Sequence, residues 1–115
     1  MRDFKYTPQA CDGKILEGYV IWNLPSYIER RMLLKSIGVK FNSSGNVEAA
    51  DIDHFELLKQ LHEECHKYIK EVCIENKMTT EMHTSFESVT YDPYCDSLIE
   101  ELAFFLINGV KLGKN

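Results

Sequence analysis

The sequence predicts an α+β domain: three main helices, an N-terminal β-hairpin and a second short strand pair. Three observations carry that prediction. Residues 3–22 are rich in aromatic and β-branched side chains around a turn signal. Two later stretches repeat apolar residues every three or four positions, the period of a helix with one buried face. Residues 72–91 alternate more than they cycle, as strands do.

In the first stretch, Phe4 and Tyr6 fall on one side, and Gly18-Tyr-Val-Ile-Trp22 suits a pleated surface. Asp12-Gly13 marks the turn between them. Asn23-Leu-Pro-Ser breaks the strand, and Ser26 with Glu29 has the spacing of a capping box. The first helix is therefore expected to begin there, run to Ile37 and stop at Gly38, a residue free to take the left-handed terminating conformation.

Residues 42–50 read as a loop, with Asp51 as the N-cap of a long helix reaching about Val72. The expected stripe of that helix is Phe55, Leu58, Leu61, Cys65, Ile69 and Val72. Val72-Cys-Ile-Glu and Met82-His-Thr-Ser-Phe form the second strand pair. Asp92-Pro93 opens the last helix, expected over residues 93–108 and ended by Asn108-Gly109. Tyr91, Asp92 and Tyr94 read as its start, where an acidic residue offsets the helix dipole.

The totals agree with one domain over residues 1–115. Hydrophobic residues make up 44% and charged residues 27%, the balance of a globular chain. A net charge of −5 disfavours nucleic acid as a partner, because phosphate binding needs an excess of lysine and arginine. No apolar run reaches the length of a membrane span, and the first residues lack the apolar core of a signal peptide. The expected location is a cytoplasm. Cys11, Cys65, Cys73 and Cys95 form no C-x-x-C pair and are expected as reduced thiols.

One motif promises chemistry. His62-Glu-Glu-Cys-His66 matches H-E-x-x-H, which on a helix can hold zinc between two histidines with a glutamate as general base. On the expected stripe, His62 lies about 60° and His66 about 100° from the buried centre, on the same side, and Glu63 points towards solvent. A catalytic zinc needs a third protein ligand and an open water position. The glycine of the extended motif is replaced by Ile69, and the next histidine is His83, on an expected strand. The motif is therefore read as a polar helix flank, with no metal and no cofactor expected; a zinc-dependent hydrolase is the remote alternative. Glu63-Glu64 and Glu100-Glu101 are adjacent and diverge by about 100° on a helix, so neither makes an acid/base pair. No catalytic residue is assigned.

Three pieces in order resemble the tail assembly chaperones of long-tailed bacteriophages. They are Asn23-Leu-Pro-Ser-Tyr-Ile-Glu-Arg-Arg-Met-Leu-Leu-Lys35, then Ser85-Phe86 with Tyr91-Asp92, then Leu98-Ile-Glu-Glu-Leu102 running into Leu106-Ile-Asn-Gly-Val-Lys-Leu-Gly-Lys-Asn115. The closing Asn-Gly-x-Lys-Leu-Gly-Lys-Asn is the most telling. The resemblance implies a non-enzymatic protein, mainly helical with some strand, that self-associates in the cytoplasm of an infected bacterium. It would coat the tape measure protein until tail tube protein displaces it, and it is not expected in the mature virion. The family often makes a longer product by ribosomal slippage, and Leu112-Gly-Lys-Asn is compatible with a slippery heptamer. The other reading without enzymatic activity is a phage-encoded adaptor or inhibitor of a host protein.

On the last helix Cys95, Leu98, Leu102, Phe105 and Leu106 project onto one face, expected to meet the core. Phe104 and Ile107 fall about 160° and 140° from its centre. With Val110 and Leu112 of the following tail they are the candidate partner-binding residues. The tail itself is expected to be dispensable for folding.

Overall fold

Strand β2 (Leu16–Asn23) buries Leu16, Val20 and Trp22 and turns Glu17, Tyr19 and Ile21 the other way. That alternation makes it one of two central strands in a four-stranded antiparallel sheet. The computed structural model, which describes residues 3–44, 47–50 and 54–108, gives the strand order β1-β2-β5-β6. Here β1 is Asp3–Tyr6, β5 is Ile69–Asn76 and β6 is Glu81–His83. Phe4 pairs with Trp22, Val20 with Val72 and Ile74 with His83. The two expected strand pairs are thus one sheet, joined along β2 and β5.

Helices α2 (His54–Tyr68) and α4 (Asp96–Asn108) supply the residues that complete the core. From α2 come Leu57, Leu61 and Cys65, and from α4 Leu98, Leu102, Ala103, Phe105 and Leu106, all buried. The expected inner face of the last helix is therefore observed in full. Phe105 is its centre, stacked on Tyr6 at 4.3 Å, Trp22 at 5.1 Å and Phe4 at 5.8 Å between ring centroids. Such pairs add about 0.5–1.5 kcal/mol each beyond the burial itself. Alternate residues of the sheet carry polar cross-strand pairs: the Lys5 ammonium sits 4.3 Å from the Tyr19 ring centroid, and the Tyr19 hydroxyl donates to Glu71 at 3.2 Å.

Gly18 is demanded by the close approach of β2 and β5. Its φ is +145°, and a Cβ there would lie 1.9 Å from the Cys73 carbonyl oxygen. Glu101 of α4 ties down the loop after β1. Its carboxylate accepts from the Tyr6 hydroxyl at 2.5 Å and from the Gln9 and Ala10 amides at 2.7 and 3.0 Å. Burial, then the Glu101 carboxylate, raises the pKa of the Tyr6 hydroxyl.

Helix α1 (Tyr27–Ser36) begins as its capping box predicts. The Ser26 side chain accepts from the Glu29 amide at 3.2 Å, and Gly38 follows the Ile37 cap with a φ of +91°. A two-stranded ribbon comes next, β3 (Val39–Phe41) with β4 (Val47–Ala50). This corrects the reading of residues 42–50 as all loop. Val47–Ala50 carries little alternation, and its strand is defined by pairing with residues 39–41. Asp51 lies outside the described residues.

The expected long helix also needs correction. It stops at Tyr68, and Ile69–Asn76 is strand. Ile69 and Val72 continue the three-and-four spacing of Leu61 and Cys65, but pairing with Trp22 and Val20 takes precedence. Phe55, placed on the inner stripe, is 76% exposed; the inner row runs through Leu57 instead. Ser85 and Phe86 do not extend the strand. Ser85 caps a short helix, α3 (Phe86–Thr90), through the Ser88 amide at 3.1 Å. A 3-10 turn (Pro93–Cys95) then leads into α4. Among the described residues no helix is long and apolar enough to cross a membrane.

Candidate functional site

Two places stand out, an open groove and a buried polar cluster. The groove lies between α2 and α4. Phe55, Leu58, Lys59 and His62 line one wall, and Asp96, Ile99, Glu100 and Ala103 the other, around about 420 Å³ of space. Its lining is mostly apolar, with Lys59 and His62 facing the acidic pair Asp96 and Glu100 across it. Phe55 stands at its edge, largely in solvent. On α4 the lining residues follow the helical i, i+3, i+4, i+7 row. Glu100 faces the groove while Glu101 holds the β1–β2 loop, so the adjacent acids do diverge.

Of the candidate partner-binding residues, Phe104 is half-buried on α4. The Ile107 side chain lies outside the described part of the structure, and so do Val110 and Leu112. Further exposed apolar side chains lie on α1, where Tyr27, Ile28 and Met32 are each at least 60% exposed.

The histidines of the H-E-x-x-H motif close on an aromatic ring. His62 and His66 lie 5.1 and 4.8 Å from the Phe86 ring and 5.1 Å from each other. Burial, then the neighbouring His66, lowers the pKa of His62. Glu63 is exposed, and Glu64 pairs with Lys67 at 3.1 Å.

The buried cluster joins β5, β6, α3 and the 3-10 turn. Asp92 Oδ2 accepts from Asn76 Nδ2 at 2.8 Å and from His83 Nε2 at 2.7 Å. Its Oδ1 accepts from the Tyr94 amide at 2.9 Å. Burial pulls the Asp92 pKa up, but the hydrogen bonds from Asn76, His83 and the Tyr94 amide outweigh it and hold the carboxyl below its ordinary value. An ionised Asp92 can only accept, so Nε2 carries the proton. The other ring nitrogen, Nδ1, shares a hydrogen bond of 2.5 Å with the Ser88 hydroxyl. Cys95 is fully buried beside Asp92; desolvation and that carboxylate push its thiol up to about 12.

The chain Ser88–His83–Asp92 has the residue types of a nucleophilic triad. However, His83 is only 1% exposed and both its nitrogens are engaged. An imidazole so enclosed braces four elements and has no free nitrogen to offer a substrate. From the sequence alone Asp92 is a helix start and His83 a strand residue. Both placements hold, but neither shows that the two side chains converge. The available signal was alternation: in the β5–β6 pair, His83 stands opposite the inward Ile74.

Comparison with known proteins finds no matching family model, no matching curated protein and no matching solved structure.

Proposed function

We propose that the chain is a tail assembly chaperone of a long-tailed phage. In this reading it binds the tape measure protein in the host cytoplasm and keeps it soluble until tail tube protein replaces it. The observation that carries the reading furthest is the α2–α4 groove with Phe55 at its edge. A coat that must later be stripped off needs open, modest apolar contacts rather than an enclosed pocket. The groove, the exposed apolar residues of α1 and the half-buried Phe104 are surfaces of that kind. The sequence resemblance supplies the identity of the client.

Co-expression with the tape measure product of the same genome is the test. Wild-type chain is expected to keep that product in the soluble fraction and to co-purify with it. Phe55→Ser should weaken capture about tenfold, the loss of one interface anchor, with the melting temperature unchanged within a few degrees. Phe104→Ser should also weaken capture or self-association while the chain stays folded. A client that stays insoluble and unbound beside folded wild-type chain would reject the proposal. The gene offers a separate check, a slippery heptamer at the codons for residues 112–115 with an open frame beyond.

A further inference from the structure

The geometry points to a divalent metal site at His83, Asp92 and Cys95, of the kind zinc occupies. Each offers one ligand atom, the three atoms lie within 4.8 Å of one another, and all three residues are buried. Imidazole, carboxylate and thiolate are the three side-chain ligands zinc takes most readily.

Charge supports the assignment. A divalent ion bound by one carboxylate, one thiolate and one neutral imidazole makes a neutral unit, the condition under which a buried ion is tolerated. The surroundings are built to match. Ser88 holds His83 Nδ1 and so aims Nε2 at Asp92; with the ring proton moved to Nδ1, the ring would donate to Ser88 Oγ, the outer hydrogen bond that metal-bound histidines usually make. The Tyr94 amide and Asn76 hold the carboxylate in turn. Glu81 Oε1 stands 3.9 Å from Nε2, outside the set of three.

Binding exchanges a proton for the ion. The Cys95 thiol proton leaves to solvent, the single imidazole proton moves from Nε2 to Nδ1, where Ser88 Oγ accepts it, and the ion takes the place between Nε2 and Oδ2. The 2.7 Å separation of those atoms then opens to about 3.3 Å, the edge of a tetrahedron with bonds near 2.0 Å. Such an ion would lock the β5–β6 hairpin to the start of α4.

The test uses full-length chain purified without metal-chelating resin and stripped with a chelator, then titrated with Co²⁺ and competed with Zn²⁺. One ion per chain is expected, with the visible bands of tetrahedral cobalt and a thiolate-to-cobalt absorption that zinc abolishes. Zinc should also raise the melting temperature. Cys95→Ser should remove the thiolate absorption and weaken zinc at least tenfold, as should Asp92→Asn. The double variant His62→Ala/His66→Ala should bind as wild type does. Folded wild-type chain that takes up no ion would overturn the assignment. So would uptake that survives Cys95→Ser and Asp92→Asn but is lost in the double histidine variant.

Discussion

The chain places histidines in two settings that differ in nearly every respect. His62 and His66 sit four residues apart on one helix and spell a known motif. They end half-buried and exposed against Phe86. His83 has no motif around it, yet Ser88, Asp92 and Cys95 close on it in the interior, and Asn76 holds Asp92 in turn. Proximity in sequence produced a surface pair; convergence of four elements produced a centre. A spacing pattern shows which side chains share a helix face. It does not show what the rest of the fold brings to that face.

The largest expected effect tests whether the buried centre holds the fold. Asp92→Ala leaves Asn76 Nδ2 and His83 Nε2 without their partner in surroundings closed to water. Each stranded group costs about 1–3 kcal/mol, so a loss of about 3 kcal/mol or more is expected. Urea denaturation of chelator-treated protein measures it. A loss under about 1 kcal/mol would erase the distinction between the two settings.

That cluster also marks where sequence reading stops. Local devices were legible: the Ser26–Glu29 cap, the Gly38 stop and the inner face of α4 each depend on residues a few positions apart, and the N-terminal hairpin shows in its strand composition and turn signal. The end of α2 was not. Ile69 and Val72 satisfy the helical period, and only the presence of β2 alongside makes them strand. Phe55 failed for a related reason: it stands three residues before Leu58, and the sequence does not show that this row lines an open groove rather than the core. The groove and the cluster arise where separate elements meet, so no single stretch spells either.

A smaller effect is expected on the helix flank. Replacing His62 and His66 together by alanine removes their contacts with Phe86 and should cost about 1 kcal/mol, the scale of one partly exposed aromatic contact. A loss as large as that of Asp92→Ala would show that the flank is a second structural centre.

The smallest effect is a pH dependence that sharpens the contrast. His62 has a folded-state pKa below its ordinary 6.5. Below 6.5 the unfolded chain takes up a proton that the folded chain resists. Stability from this group is therefore full above that pH and declines as the pH falls from 6.5 through the folded value. His62→Gln should flatten that part of the thermal-melting profile slightly. An unchanged profile would mean that burial and the neighbouring His66 do not disfavour the charged ring.

Trp22 is the chain's single tryptophan. It is fully buried, stacked on Phe105, and its indole N–H has no acceptor among the described residues. An indole so enclosed emits at short wavelength and shifts to the red when water reaches it. Intrinsic fluorescence therefore follows loss of the core without any label. Trp22 stands on β2 opposite Ile69, at the start of β5, whereas Asn76 and His83 belong to the far end of that hairpin. Local loosening around Asp92 would leave the emission unchanged, and only collapse of the whole sheet would colour it.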